Sequence, residues 1–313
     1  MKKVIYNQYG SFDDLQMVEV DIPVIQPNEL LIKIKAVAIN PLDWKKLEGQ
    51  MKMITGSKFP KGIAFDFAGV VEQKGDAVTN FNIGDAILGA LDAMKGEALA
   101  EYIVVTEPSI YKKPASMSFE TAAAMISIGA AALYLFQNAP NAKAGSEILI
   151  NGASGGVGMV LLQMAKNKGM QVTAVASGEG LTYIKKWQPD HLLDYKKDNI
   201  LGQKTAFDAV FELSGSISFG KAKSMMKPKS AYVSTLPNPI DMATAFFNNL
   251  FAAKKHKIVM AHPTQDNYRE LCEWVTVKGL EITIAKTFKM SDFKEAYQYA
   301  RTGGIVGKIV FSI

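Results

Sequence analysis

Between Ile148 and Ser177 the chain reads ILINGASGGVGMVLLQMAKNKGMQVTAVAS: an apolar run, a burst of glycines, an apolar-periodic stretch and a second apolar run. This order specifies a strand, a tight turn, a helix and a second strand parallel to the first, because parallel neighbours need a crossover and the crossover is usually a helix. The glycines fall as Gly152-x-x-Gly155-x-x-Gly158, with Gly156 added and Ala153 where the commonest fingerprint has its first glycine. Glycine lets the main chain approach a pyrophosphate, whose charge is met by the N–H groups and positive end of a helix beginning near Val157. A lone glycine fingerprint is weak. Here it follows a strand, opens a helix and precedes a second strand, which points to a dinucleotide rather than to a bare structural turn.

The alternation extends beyond this unit. From Glu147 to Pro263 the segments EILI, QVTAVA, HLLDY, FDAVFEL, AYVSTL and KIVMA are spaced by helical stretches, which predicts an α/β, doubly wound parallel sheet. From Lys2 to about Lys113 short β-branched runs are divided by Pro, Gly, Asn and Asp, as in a small, mostly β domain. At SMSFETAAAMISIGAAALYLFQNA the period turns helical, with Ser118 as N-cap. The last segment, ITIAKTFKMSDFKEAYQYARTGGIVGKIVFSI, returns to strand, helix and strand. The expected domains are therefore 1–117 (mostly β), 118–263 (dinucleotide-binding) and 264–313, packing back on the first.

Composition narrows the function classes. With 48% hydrophobic and 21% charged residues among 313, and a net charge of +5 spread along the chain, no block of like charge marks a nucleic-acid tail. Met1–Gly10 lacks an apolar signal core and no uninterrupted apolar run reaches the ~20 residues of a membrane span, so a cytoplasmic protein is expected. The single cysteine, Cys272, excludes an internal disulfide and a cysteine zinc cage, and its apolar neighbours favour a buried structural thiol. His191, His256 and His262 have no shared local spacing and read as structural or surface residues.

Taken in order, AINPLDWKKLEG, FPKGIAFDFAGVVEQKGDAV, FNIGDAILG, LAEYIVV, AAAMISIGAAALY, NGASGGVGMVLLQMAK, LLDYKK, FDAVFELSG and GKIVF resemble the medium-chain dehydrogenase/reductases, specifically the zinc-independent quinone oxidoreductase and enone (alkenal double-bond) reductase branch. The resemblance covers nearly the whole chain and implies a Rossmann sheet domain plus a GroES-like catalytic domain. Zinc-dependent relatives carry a metal-binding His where Phe65 stands, before Asp66, and a metal-binding Cys within the INPLDW segment. The resemblance therefore implies no catalytic metal, and an alcohol dehydrogenase is disfavoured.

The same resemblance implies reduction of a quinone or of an activated C=C by hydride from NADPH, with NADH not excluded. Reduction leaves charge on the substrate oxygen, so a donor must face it; the Lys45 position of the motif supplies that donor, with Asn40 nearby. The bland reading of Lys45, followed by Lys46, is a solvated surface charge. Main-chain groups of Ser154, Gly155, Gly156 and Val157 would meet the pyrophosphate. Ser177, Gly178 and Tyr195 would surround the adenosine ribose or its 2′-phosphate. Leu213 would border adenine, Leu236 would line the nicotinamide end, and Gly304 and Ile305 would close over the cofactor. The first strand after the glycine loop ends Ala176-Ser177 without an acid, which leans towards NADPH, against Glu179 two residues on. Two positions depart from the family pattern: Gly180 stands where a phosphate-gripping Lys is common, and Ala131 where a Thr is usual. A homodimer is implied. The alternative function is a non-catalytic, NAD(P)H-bound regulatory or RNA-binding relative, although no basic, aromatic-interleaved patch supports RNA.

Overall fold

The strands in chain order are β1 (Lys2–Tyr6), β2 (Gln16–Glu19), β3 (Glu29–Ala38), β4 (Lys61–Gly62), β5 (Asp66–Lys74), β6 (Ala86–Ala90), β7 (Tyr102–Thr106) and β8 (Ile110–Lys112). After a long helix come β9 (Glu147–Asn151), β10 (Gln171–Ala176), β11 (His191–Asp194), β12 (Phe207–Glu212), β13 (Met226–Ser234) and β14 (Lys255–Ile258), and finally β15 (Ile284–Lys289) and β16 (Lys308–Ser312). The computed structural model describes residues 1–203, 206–235, 245, 249 and 253–313. Contacts divide it into one unit of Met1–Ser127, Pro263–Gly303 and Lys308–Ile313, and a second of Ile128–His262 and Gly304–Gly307.

The first unit is built on sheets. β2, β1 and β4 form a three-stranded sheet, and a larger one runs β15-β16-β3-β5-β6-β8, with β7 also pairing β3. Its centre is β3, ELLIKIKAVA, whose residues at 30–32 and 36–38 are all buried because it has neighbours along its whole length. The return segment enters this sheet directly: β16 pairs antiparallel with β3, Val310 opposite Ala38.

The second unit carries one six-stranded sheet, all parallel, in the order β11-β10-β9-β12-β13-β14. In chain order this is 3-2-1-4-5-6, so the strand order reverses beside β9, where open α/β sheets place their ligands at the strand carboxyl ends. Asn151 ends β9 at that point, and the glycine loop follows it.

The division between units departs from the expected boundaries in two places. It falls within the helix Phe119–Gln137, after Ser127, rather than at residue 118. Ser127 accounts for the shift: its main-chain N–H and hydroxyl both donate to Asp66, tying the first half of this helix to β5. Ser118 does cap the helix, accepting from the Thr121 N–H at 3.0 Å. Gly304–Gly307 belongs with the second unit, not with the return segment around it. The helix Phe119–Gln137 is apolar enough to cross a membrane by composition, with a mean hydropathy of 1.6, but 67% of it is buried inside the protein, as expected of a core helix.

Candidate active site and cofactor cradle

The sequence NPLDWKKL makes a short helix, Pro41–Leu47, for local reasons. Proline at the first position has no N–H to waste, and Asp43 accepts the Asn40 main-chain N–H at 2.9 Å in a capping box. This helix presents Lys45. The side chain is half-buried, and among the described residues its ammonium has no hydrogen-bond or ion-pair partner. Lys46 beside it is 2% exposed, so the two do not form a solvated surface pair.

The cap is anchored by a buried polar network. Asn40 is 5% exposed and both ends of its amide are engaged: Nδ2 donates to Asp66 Oδ2 at 2.9 Å and Oδ1 accepts from Lys308 Nζ at 2.8 Å. Lys308 also donates to the Ile39 carbonyl. Asp66 accepts from the Ser127 hydroxyl at 2.8 Å. Burial pushes the Asp66 carboxyl up, opposed by the Lys308 charge and by the Ser127 and Asn40 hydrogen bonds; burial likewise pulls Lys308 below the usual lysine range, opposed by Asp66 and Asp43. Asn40 was expected beside the substrate oxygen. Its amide is committed to Asp66 and Lys308, which ties the start of the helix carrying Lys45 to this network.

Asp43 belongs to the same helix. It is fully buried, Tyr297 donates to its Oδ2 at 3.4 Å, and its Oδ1 has no partner among the described residues. Desolvation, opposed by the Asn40 N–H and the Lys46 and Lys308 charges, raises its pKa to about 7.

In the second unit the glycine loop has the shape a pyrophosphate cradle requires. Gly152 sits at φ +91°, open to glycine and strained for other residues, and a Cβ on Gly158 would run into the Gly152 carbonyl and lie 2.7 Å from the Ala153 Cα. The helix Gly156–Asn167 starts there, and its first N–H groups have no acceptor within the helix. Gly155 is exposed, and a Cβ on it would meet nothing closer than 3.5 Å. Ser154, Gly155, Gly156 and Val157 thus share one accessible turn, which fits an anionic phosphate. Leu213 lies against this loop: its N–H donates to the Asn151 carbonyl at 3.0 Å, and a Cβ on Gly152 would sit 3.4 Å from it. Glu212, buried, holds the Leu213 turn by accepting from the N–H groups of Ser214 and Gly215 and from the Asn151 amide.

Ser177, Gly178 and Tyr195 come together where β10 and β11 end, with the Tyr195 N–H donating to the Ala176 carbonyl at 3.1 Å and its ring 57% exposed. The pairing of Ala176 with Asp194 also brings a carboxylate to this edge, which the chain sequence around Ser177 does not show. The Lys196 N–H, and then the Ser177 hydroxyl, hold Asp194 below the usual carboxylate range. Glu179 is exposed in the first turn of the following helix.

Gly180 has a packing reason for being glycine: it is buried, and a Cβ on it would sit 2.7 Å from the Ser154 Cβ. A lysine does not fit there, so the family's phosphate-gripping Lys has no equivalent at 180. Val306 approaches the same spot, at 3.9 Å, which brings the Gly304–Gly307 turn, with Ile305, beside the cradle. Leu236 lies outside the described residues.

Metal-binding groups are not assembled. Phe65 is buried and has no donor atom, Cys272 is 6% exposed with its pKa raised to about 11 by burial, and among the described residues no three His, Cys, Asp or Glu side chains could share an ion. Of the histidines, His256 stacks on Phe219 at 4.8 Å, while His191 and His262 are exposed.

Comparison with known proteins agrees with this geometry. Residues 26–115 match the alcohol dehydrogenase GroES-like domain, and residues 188–311 match a model described as zinc-binding dehydrogenase, whose metal the donor set here does not fit. A chloroplastic quinone-oxidoreductase homolog of Spinacia oleracea is 30% identical, over 99% of this chain and 98% of its own. An NADPH-dependent alkenal/one oxidoreductase of Arabidopsis thaliana is 34% identical over 69% of this chain and 58% of its own. The solved quinone oxidoreductase of Coxiella burnetii superposes with a TM-score of 0.90 at 28% identity, covering 100% of this chain and 99% of that one. With a zinc-free donor set, a dinucleotide cradle and whole-length relatives of this kind, the chain belongs to the medium-chain dehydrogenase/reductase superfamily, in its quinone oxidoreductase and enone reductase branch.

Proposed function

We infer that this protein is an NADPH-dependent oxidoreductase that reduces quinones or the activated C=C of α,β-unsaturated carbonyls, as the names of its relatives say of those proteins. When bound, the dinucleotide supplies the hydride. Hydride arrival at carbon moves an electron pair onto the carbonyl oxygen, and an ammonium held beside that oxygen stabilises the developing charge without reorganising. Lys45 is the group available for this task, and the observation that carries the reading is a half-buried lysine on an anchored helix, its ammonium without a partner among the described residues. The balancing proton comes from solvent.

The test separates chemistry from binding. Lys45→Met keeps much of the packing volume, and single-turnover oxidation of NADPH at saturating cofactor and enone should slow by roughly 10²-fold or more, the scale of losing an oxyanion donor. Cofactor Kd is measured in parallel by fluorescence titration. An unchanged hydride-transfer rate in the folded, saturated variant removes Lys45 from the mechanism.

The family resemblance extends the reading to a cytoplasmic homodimer acting on small molecules, with no nucleic-acid or membrane partner. Sedimentation at the mass of a single chain, or salt-resistant retention of RNA, contradicts that extension.

A further inference from the structure

The helix Pro41–Leu47 that carries Lys45 has seven residues, short of the ~12 at which an isolated helix begins to hold itself, so contacts from elsewhere keep it in place. The network around Asn40 ties down its start. A second hold comes from the helix Phe293–Arg301 of the same unit, in which Tyr297 and Arg301 stand one helical turn apart and so share a face.

Tyr297 reaches the first turn. Its ring is 0% exposed, stacked on Phe12 at 5.6 Å and tilted against Phe311 at 5.8 Å, so its hydroxyl donates to Asp43 Oδ2, at 3.4 Å, from a fixed position. Arg301 reaches the last turn. Its guanidinium pairs with Glu48 at 3.2 Å and lies over the Trp44 ring, 5.8 Å from the centroid. Glu48 is the C-cap, where a carboxylate opposes the helix dipole and a cation complements it. Arg301 therefore accounts for an acid at that position, and Gln50 Nε2 donates to the other carboxylate oxygen at 2.7 Å. The Arg301 and Glu48 side chains are 52% and 28% exposed, so their pairing adds little stability. Its consequence is geometric. Lys45 stands between Trp44 and Glu48, the two residues that Arg301 touches, and the buried Trp44 ring passes the constraint to the main chain beside Lys45.

We propose that Arg301 is a positioning residue for Lys45: together with Tyr297 it fixes the helix Pro41–Leu47 at both ends, so that the ammonium meets the substrate oxygen in one orientation. This rests on the role inferred for Lys45 in the reduction.

The experiment compares Arg301→Met, Arg301→Lys and Tyr297→Phe with wild type, each alone and combined with Lys45→Met, in the full chain. Hydrogen exchange read by mass spectrometry reports the hold: the Glu48 and Gln50 amides, which donate to the Trp44 and Lys45 carbonyls, should exchange about fivefold faster in Arg301→Met, with the six-stranded sheet unchanged. Single-turnover oxidation of saturating NADPH, by whichever of trans-2-hexenal and 9,10-phenanthrenequinone wild type reduces faster, reports its use. That rate should fall by about three- to tenfold in Arg301→Met and about threefold in Tyr297→Phe, since a misplacement of about 1 Å costs ~10²-fold. Arg301→Lys should recover part of both losses, because an ammonium still pairs with Glu48. Combined with Lys45→Met, Arg301→Met should change the rate by less than about twofold, because the group it positions is gone, whereas a merely structural role gives the same loss in both backgrounds. Unchanged exchange at Glu48 and Gln50, equal losses in both backgrounds, or no recovery in Arg301→Lys overturns the proposal. Slow transfer in Lys45→Met alone with wild-type transfer in Arg301→Met or Tyr297→Phe overturns the positioning and leaves the role of Lys45 standing; unchanged transfer in Lys45→Met overturns both.

Discussion

Lys308→Met tests whether the anchor under the helix bearing Lys45 is as strong as its geometry implies. The methionine keeps a long apolar stem and deletes the ammonium that donates to the Ile39 carbonyl and to Asn40 Oδ1. Asp66, 0% exposed and already pushed up by burial, then has only Asn40 and Ser127 to hold its charge. Lys308 reaches Asp66 through the Asn40 amide and not directly, so its loss strands buried hydrogen-bonding groups at a cost of about 1–3 kcal/mol. Against a typical total of about 5–15 kcal/mol this is a large loss. Urea unfolding followed by tryptophan fluorescence reads it, Trp44 and Trp274 both lying in the unit concerned. The decisive arm is the double variant: adding Asp66→Asn to Lys308→Met removes the stranded charge and should recover about 1 kcal/mol, a coupling within the range of residues that share one hydrogen-bond network. Turnover should follow, since a misplacement of about 1 Å at a reacting group costs ~10²-fold. A Lys308→Met cost below about 1 kcal/mol, or additive effects in the cycle, refutes the anchoring argument.

At the cofactor edge, Glu179→Lys should shift the ratio of NADH to NADPH dissociation constants towards NADPH by about five- to tenfold, a modest effect for an exposed charge; an unchanged ratio by fluorescence titration places the 2′-phosphate elsewhere. Gly180→Ala should displace Ser154 and cost about 1–3 kcal/mol of stability or cofactor affinity, as overpacking does; a neutral result by melting and titration contradicts the close packing at this point. Asp43, with its folded pKa raised to about 7, binds its proton more tightly folded than unfolded, so its contribution is fully present below the ordinary carboxylate pKa and is lost as pH rises towards and through 7. The melting temperature of wild type relative to Asp43→Asn should therefore fall between pH 4.5 and 8, and a flat difference contradicts the shift. Exhaustive chelation should leave activity intact, whereas about one zinc per chain with activity lost on its removal overturns the metal-free reading.

The dinucleotide unit was legible because its constraints are local. The glycines at 152, 155 and 158 are required by a turn geometry and a close approach that a few neighbouring residues create, so their spacing carries the information. The role proposed for Lys45 comes only through the resemblance, since one lysine in a short helix has no signal of its own. Lys308 was not legible. In GKIVF it reads as an ordinary strand-edge charge, and its burial follows from pairing β16 with β3 and from an aspartate 242 positions earlier. For the same reason the commitment of the Asn40 amide to Asp66 and Lys308 was not legible. The packing behind Gly180 was not legible either: the sequence shows only that the lysine is missing, whereas the Ser154 side chain fills the space a Cβ would need. Asp194 entered the cofactor edge through strand register, which no reading along the chain supplies.

The placement of Lys308 also sets an order of assembly. The first unit is interrupted at Ser127 and resumes at Pro263, so during synthesis Ile128–His262, with all six strands of the second unit's sheet, leaves the ribosome while the first still lacks β15 and β16. Chains fold vectorially and domains generally as units, so the dinucleotide sheet, closed within one stretch of sequence, can mature while the β-rich unit waits with β3 unpaired along its Ala36–Ala38 edge. The helix bearing Lys45 acquires its last anchor only when residue 308 emerges. A nascent chain should therefore form the glycine turn well before the helix bearing Lys45 is anchored.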